Sequence, residues 1–395
     1  MSMLDRAVTI HNPQKAFDGF TLFTPHYGNY TWLIDNGGRV VHYWRTDHVP
    51  GGDVRLLPNG NLLRINRTLK EPLEFFGSVG SELVELDWDG RVVWKYEDPH
   101  LHHDFCRLAN GNTLLNRHIL MPRDLVSRVK GGIRNTELTE GMWDNGFREV
   151  TPSGEVVWDW LGYEHQDPQI DVICPLCPRT IWNYVNGIDV YGNGDIVASF
   201  RHFNTLAIIE RQSGRIKWRW GDHELGHHHN PTVIGNRNVL VFDNGYHSTT
   251  SHEVSDGCFS RVLEVNPETD KIEWEYKDDN ANRFYSGICS GAERLPNGNT
   301  LVCESTKGRI FEVTPGGETV WEFINPFFHR WGRHGLTNLI FRAHRYGCDF
   351  PGLKGKDLDP DRFEWFIRKK GGPGDPLHAS KDEEAVKKRL RQLGY

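Results

Sequence analysis

Apolar and polar residues alternate along this chain in short bursts, and the bursts repeat. Five segments read as a turn, a charged residue and alternating β-branched positions that end in Trp: 90–94, 154–158, 214–218, 270–274 and 317–321. A looser copy ends at Trp44. Each follows a short apolar run such as Leu83–Leu86 or Ile310–Val313, which together predict a β-hairpin. A second element, Leu-x-Asn-Gly-Asn-x-Leu, alternates with the hairpins at 57–63, 108–114 and 295–301, with degenerate copies at 191–196 and 234–239. Asn-Gly between apolar runs is a strong two-residue hairpin signal. Inner pair plus outer pair makes a four-stranded sheet, the blade of a β-propeller. The pattern therefore predicts an all-β chain over residues 1–350, a six-bladed β-propeller closed by pairing of its N- and C-terminal segments. Residues 338–345 would complete the sheet of the first hairpin, around Thr31–Trp44, and remove an exposed sheet edge. A loop insertion is expected around 164–181. Residues 351–395 read as a C-terminal extension with a short helix at Asp382–Leu393 after the breaker cluster Gly371–Pro376.

Composition narrows the partners. A formal charge of -7 and a pI near 6.3 disfavour nucleic acid or an anionic membrane, both of which call for a basic face. No apolar run is long enough for a membrane-spanning helix, and the first residues carry no basic stretch leading into an apolar one, so a cytoplasmic location is expected. The seven Cys are scattered, unlike a secreted disulfide framework. Cys174-Pro-Leu-Cys177 has metal-ligand spacing, but a structural zinc needs four ligands and no second CxxC completes the set. These two read as free or loop thiols, with a metal or redox role as the alternative.

The repeats can be registered on the first Asn of each inner turn. Seven residues before it stand Gly52, His103, Asn186, His229 and Ser290; eight after it stand Arg67, His118, Arg201, Asn244 and Ser305. The turn reverses the strand, so both rows are expected at one mouth of the propeller channel. His, Arg and Asn there provide donors for an oxyanion and imidazoles for nucleophilic or acid–base work. Arg342 on the closing segment adds charge, and a small anionic or aromatic substrate is the expected partner. His102, His227 and His228 read as solvated or supporting neighbours. The repeated Trp residues read as core.

The same positions carry a family resemblance. Gly19–Phe23, His102–Phe105, Val185–Asp189, Ser199–His202, His229–Pro231, Phe242–Gly245 and Phe341–Tyr346 resemble the arylsulfotransferase family over about residues 8–350. The resemblance implies a six-bladed propeller that moves a sulfuryl group from an aryl sulfate to a phenol through a sulfo-histidine, with no cofactor. His229 then matches the nucleophile, and His103, Asn186 and Arg201 match the residues that hold the sulfate oxygens. Where the sulfotransferases have a second His, this chain has Tyr184, a phenol of ordinary pKa near 10 that would contact the aryl oxygen. Arg67, His118, Asn244 and Arg342 would bind substrate. Two other readings of the residues stay open. One is a Zn, Cu or Fe enzyme, a lyase, hydrolase or oxidase, with His103, His229, His247 and His344 as ligands. The other is a non-catalytic binding propeller.

Overall fold

The computed structural model describes residues 7–68, 80–248, 258–280, 283–330 and 335–368. The chain is all-β, its strands lying mostly in propeller-like four-stranded runs within sheets of two to eight strands, with few helices. Its contacts divide it into two compact units, Met1–Thr68, Leu83–Lys95 and Cys289–Tyr395 in one and Leu69–Glu82 and Tyr96–Ile288 in the other.

The first unit holds three strand runs. Ile340–Gly347, Gly19–Pro25, Tyr30–Ile34 and Val40–Arg45 lie side by side in that order, and Pro50–Leu56, Leu62–Asn66, Glu82–Leu86 and Val92–Glu97 form the next run. The third comprises Gly291–Arg294, Thr300–Glu304, Arg309–Val313 and Thr319–Ile324, with Val8–His11 added at its outer edge. The closing strand pairs antiparallel with Gly19–Pro25, Thr21 opposite Arg345. It thus reaches the Tyr30–Arg45 hairpin through that strand rather than directly, because Gly19–Pro25 is itself apolar and buried and takes the innermost hairpin-facing place.

The second unit repeats the plan. Its runs are Leu101–Arg107, Thr113–Leu120, Trp143–Val150 and Val156–Leu161; Val185–Val190, Ile196–Phe200, Thr205–Ile209 and Ile216–Trp220; and His229–Val233, Val239–Asp243, Arg261–Asn266 and Lys271–Tyr276. The expected insertion contains a short helix, Gly162–His165, and a strand, Ile173–Pro178, that pairs parallel with Gly131–Ile133.

The inner turn recurs for a reason that shows in its side chains. Its Gly sits at φ +85 in Gly60, +87 in Gly111 and +87 in Gly298, the left-handed region that Gly enters without steric cost. The Asn after it donates its amide to a Glu on the third strand: Asn61 to Glu85 at 2.8 Å, Asn112 to Glu149 at 2.6 Å, Asn238 to Glu264 at 2.7 Å and Asn299 to Glu312 at 2.6 Å. Hydrogen bonds to a charged acceptor contribute about 1.5–3 kcal/mol each, so this bond locks turn to strand in each copy. In the copy at 191–196 Asp195 replaces the Asn and pairs with Lys217 instead.

The repeated Trp residues divide in two. Trp44 and Trp321 are buried, and their indole N–H groups donate to the carbonyls of Asp87 at 3.0 Å and Asn36 at 2.8 Å. Trp94, Trp158, Trp218 and Trp274 are only half-buried, so they are not core as the repeat suggested. Trp158 holds the Arg211 guanidinium over its face, 3.6 Å from the ring centre. The buried Trp residues of the second unit, Trp143, Trp160 and Trp182, stand off the repeat register.

A helix the sequence reading missed spans Asp361–Arg368. The expected helix at 382–393 and the breaker cluster lie outside the described residues. Among the described residues no helix is long and apolar enough to cross a membrane.

Candidate functional site

The densest set of chemically capable side chains belongs to the second unit. His229 opens the strand His229–Val233, and Asn244 follows the end of Val239–Asp243. Antiparallel reversal brings them together: His229 Nδ1 lies 2.7 Å from Asn244 Oδ1. Asn244 Nδ2 in turn donates to the Ser286 carbonyl at 2.6 Å, which sets the amide so that its oxygen faces the imidazole. An amide oxygen only accepts, so Nδ1 carries the proton and the lone pair sits on Nε2. His229 Nδ1 also lies 3.1 Å from the His227 carbonyl, a second acceptor for the same N–H. Both residues are buried.

Asn186 supports this pair from the neighbouring sheet. Its Nδ2 donates to the His228 carbonyl at 2.8 Å, and its Oδ1 accepts from the Ser199 hydroxyl. Arg201, at the start of a short 3-10 turn, places its guanidinium 5.3 Å from the centre of the Tyr184 ring. His103 packs edge-on against Tyr184, with ring centres 5.4 Å apart. Its Nδ1 shares a proton with His102 Nδ1 across 2.8 Å, and His102 stacks on His118 at 3.9 Å. His118 is bonded through Nδ1 to the Asn145 amide at 2.7 Å. His103 and Tyr184 both lie at positive φ, +55 and +47, where the regular strand alternation breaks.

Burial keeps the surrounding imidazoles neutral. It pushes His102 down to about 3, His228 to about 3 with the Arg201 charge adding to the effect, and His202 to about 3 with the same addition. His118 is likewise held well below its ordinary value by burial and by His102. His102, His227 and His228 are fully buried, which corrects their reading as solvated neighbours.

Beside the His229–Asn244 pair the structure brings together Cys174, Cys177, His227 and His247, one ligand atom of each lying within 4.8 Å of all the others. Cys177 Sγ is 3.5 Å from His227 Nε2 and 3.7 Å from His247 Nδ1, and Cys174 Sγ is 3.6 Å from His247 Nδ1. The Cys177 thiol donates to Cys174 and, against the cost of burial and with help from His247, holds the Cys174 thiol down at about 5.

Of the four His considered as metal ligands, only His247 joins this set; His103 and His229 are bonded as described above. His344 belongs to the first unit, where its Nε2 lies 2.9 Å from Asp53 and its Nδ1 3.4 Å from Glu293. Arg342, also in the first unit, is fully buried and ion-paired with Asp53 at 3.4 Å. Arg67 is in that unit too, its backbone N–H bonded to the Val49 carbonyl. The residues that sequence reasoning missed are His227 and the two Cys. Cys174 and Cys177 signalled themselves by spacing, but their two partners stand 50 and 70 residues further on from Cys177, too far for any local signature. A cleft of about 310 Å³ lined by Tyr191, Asn193, Lys217, Trp218 and Asn236 lies at the Asn-Gly turn end of these strands, and none of the residues above lines it.

Gly245 is what allows Asn244 its place. It lies at φ +68, and a Cβ there would fall inside the van der Waals surface of the Phe259 carbonyl oxygen. Gly245→Ala is expected to destabilise the protein by about 2 kcal/mol or more and to displace Asn244. A thermal melt checks the first effect. A melting point within about 1 °C of wild type (roughly 0.8 kcal/mol for a chain of this size) would contradict it.

The arylsulfotransferase (ASST) family model matches residues 52–326 of the chain. Among solved structures, a protein of unknown function from Bacteroides caccae is similar in fold, with a TM-score of 0.51 at 14% identity, over 83% of this chain and 98% of that one. Virginiamycin B lyase from Staphylococcus aureus aligns with a TM-score of 0.41 at 13% identity, over 71% of each chain. No curated protein matches.

Proposed function

Since the chain belongs to the arylsulfotransferase (ASST) family, we propose that it transfers a sulfuryl group from an aryl sulfate to a phenolic acceptor through His229. The reading takes each four-stranded meander as one blade of a six-bladed propeller. The observation that carries it is the chain from the Ser286 carbonyl through Asn244 to His229 Nδ1, which leaves the nucleophilic lone pair on Nε2.

In the first half-reaction Nε2 attacks sulfur, the S–O bond to the aryl group breaks, and the aryl oxygen leaves with the bonding pair. The imidazole becomes a positively charged N-sulfo ring whose Nδ1–H still points at Asn244 Oδ1. That bond strengthens as the charge develops, so it favours the transition state over the ground state. Arg201 and His103 face the sulfuryl oxygens and offset their charge, and Tyr184, between them, gives a hydrogen bond to the aryl oxygen as it leaves. Asn186 works as a positioning residue by holding the His228 carbonyl. His118 fixes His102 and through it His103. In the second half-reaction the acceptor oxygen attacks sulfur, the S–N bond breaks with its pair returning to Nε2, and the acceptor proton passes through Tyr184 to water.

The test is a single incubation with 4-nitrophenyl sulfate and no acceptor. It should release a burst of about one nitrophenol per chain and leave one sulfuryl group on the peptide that contains His229, read by mass spectrometry. A label on another residue, or turnover of several aryl sulfates with no burst and no label, counts against the mechanism.

A further inference from the structure

We propose that Cys174, Cys177, His227 and His247 bind one zinc ion, and that the ion ties the insertion strand Ile173–Pro178 to the ends of the two strands that carry His229 and Asn244. The distances are those of a coordination shell. A tetrahedral ion with Zn–S near 2.3 Å and Zn–N near 2.0–2.1 Å has sulfur-to-nitrogen edges of about 3.6 Å. The three S···N separations here are 3.5, 3.6 and 3.7 Å. The donor set, two thiols and two imidazoles, is the one that selects zinc in tetrahedral sites.

The burial of His227 calls for such a partner. It is fully buried, and among the described residues the only side chain that its ring nitrogens meet at hydrogen-bond range is the Cys177 sulfur at 3.5 Å, a weak acceptor; Nδ1 has none. Hiding an imidazole this way costs free energy that a metal–nitrogen bond offsets. The backbone adds a separate sign. His227 and His247 stand at φ +53 and +55, in a region side-chain-bearing residues enter at a cost and hold only where their surroundings impose it. Both residues lie just outside the strands His229–Val233 and Val239–Asp243, and their rings meet the two sulfurs.

The sequence positions give the ion its task. His227 is two residues before His229, and His247 is three residues after Asn244, so both members of the hydrogen-bonded pair sit next to a ligand. The two Cys lie on the far side, on the insertion strand. With four protein ligands the ion is closed to substrate, which makes it a fastening rather than a Lewis acid in the reaction. Zinc binding displaces the thiol protons to solvent and needs no oxidant or reductant.

Elemental analysis of the full chain, expressed with zinc supplementation, should find about one zinc per chain. His229→Ala should retain it, whereas Cys177→Ser and His247→Ala should each fall to about a tenth or less. Retention in His229→Ala keeps this result separate from the fate of the sulfuryl-transfer mechanism. Should the Cys177 variant not fold, wild type stripped with chelator and reloaded with Co²⁺ decides. Intense visible d–d bands with a thiolate charge-transfer band support the site, and a weak octahedral spectrum overturns it. Hydrogen exchange in residues 164–181 should be slow in the loaded protein and fast in the stripped one; equal rates would remove the fastening role. Zinc-free wild type, with Cys174 and Cys177 recovered as free thiols or as a disulfide, would overturn the proposal outright.

Discussion

His229→Ala should lower turnover of an aryl sulfate by roughly 10³–10⁶-fold, the range seen when a nucleophile or its base is deleted. The substitution removes the only group in the proposal that forms a bond to sulfur. What remains, Arg201 and His103 around the sulfuryl oxygens, accelerates only the uncatalysed attack by water or acceptor. KM should change far less than kcat, because the oxygens keep their donors. The melting point should move little, since the alanine deletes one hydrogen bond to Asn244 and leaves that amide anchored to Ser286. Asn244→Ala should give a smaller loss, about 10²-fold: Nε2 is still present and the His227 carbonyl still accepts from Nδ1, but the imidazole loses the shorter of the two hydrogen bonds that orient it. Turnover of His229→Ala within tenfold of wild type would end the assignment of His229 as nucleophile. Steady-state rates with 4-nitrophenyl sulfate for the two variants and wild type settle the order.

The second large effect concerns stability. Asp53→Ala is expected to destabilise the protein by about 3–5 kcal/mol, because it removes the buried carboxylate that Arg342 and His344 share. Asp53 is fully buried and meets His344 at 2.9 Å, Arg55 at 3.0 Å and Arg342 at 3.4 Å. Arg342 is only 1% exposed. The carboxyl of Asp53 is held far below the usual carboxylate range: burial alone would raise it, and His344 with the two Arg residues overcomes that. Burial likewise opposes the His344 imidazolium, yet the Asp53 carboxylate raises it to about 9. A His whose folded pKa lies above its unfolded value stabilises the protein fully below pH 6.5, and this contribution fades as pH rises toward 9. The gap between wild type and Asp53→Ala should therefore be widest between about pH 4.5 and 6.5 and narrow above that. Urea denaturation at pH 6 and pH 9 checks both statements. An equal gap at the two pH values would show that His344 is not charged in the folded state, and a gap under about 1 kcal/mol would show that the cations find other partners.

The register of the inner turns was informative because strand alternation and a two-residue turn are short-range properties. Counting seven residues back and eight forward from Asn236 reaches His229 and Asn244, and an antiparallel hairpin returns such positions to the same end; their side chains meet at 2.7 Å, although a register shift sets His229 opposite Phe242. The same arithmetic aligned His103 with His118 and Asn186 with Arg201. It failed for the imidazoles next to those positions. His227 reads as a solvated or supporting neighbour two residues before His229, yet it is fully buried at a left-handed φ of +53, with the Cys177 sulfur against its ring. The arithmetic also overstated the outer Trp residues. A repeat position specifies where a side chain starts, while its burial depends on what the adjacent segment lays against it, as the contrast between Trp321 and Trp158 shows.

The amino-acid sequence thus determined the strands, the turns that reverse them, and the pairing of residues opposite one another across a single hairpin, since all of these follow from interactions within some fifteen residues. It also carried the family. Tertiary structure alone decided which groups from separate elements meet. Cys174 and Cys177 come within 3.7 Å of His247 because an insertion strand folds back over two sheet ends. Arg342 and His344 pair with Asp53, 289 and 291 residues away. Such encounters depend on how sheets pack, a sum of many buried contacts that no local pattern encodes.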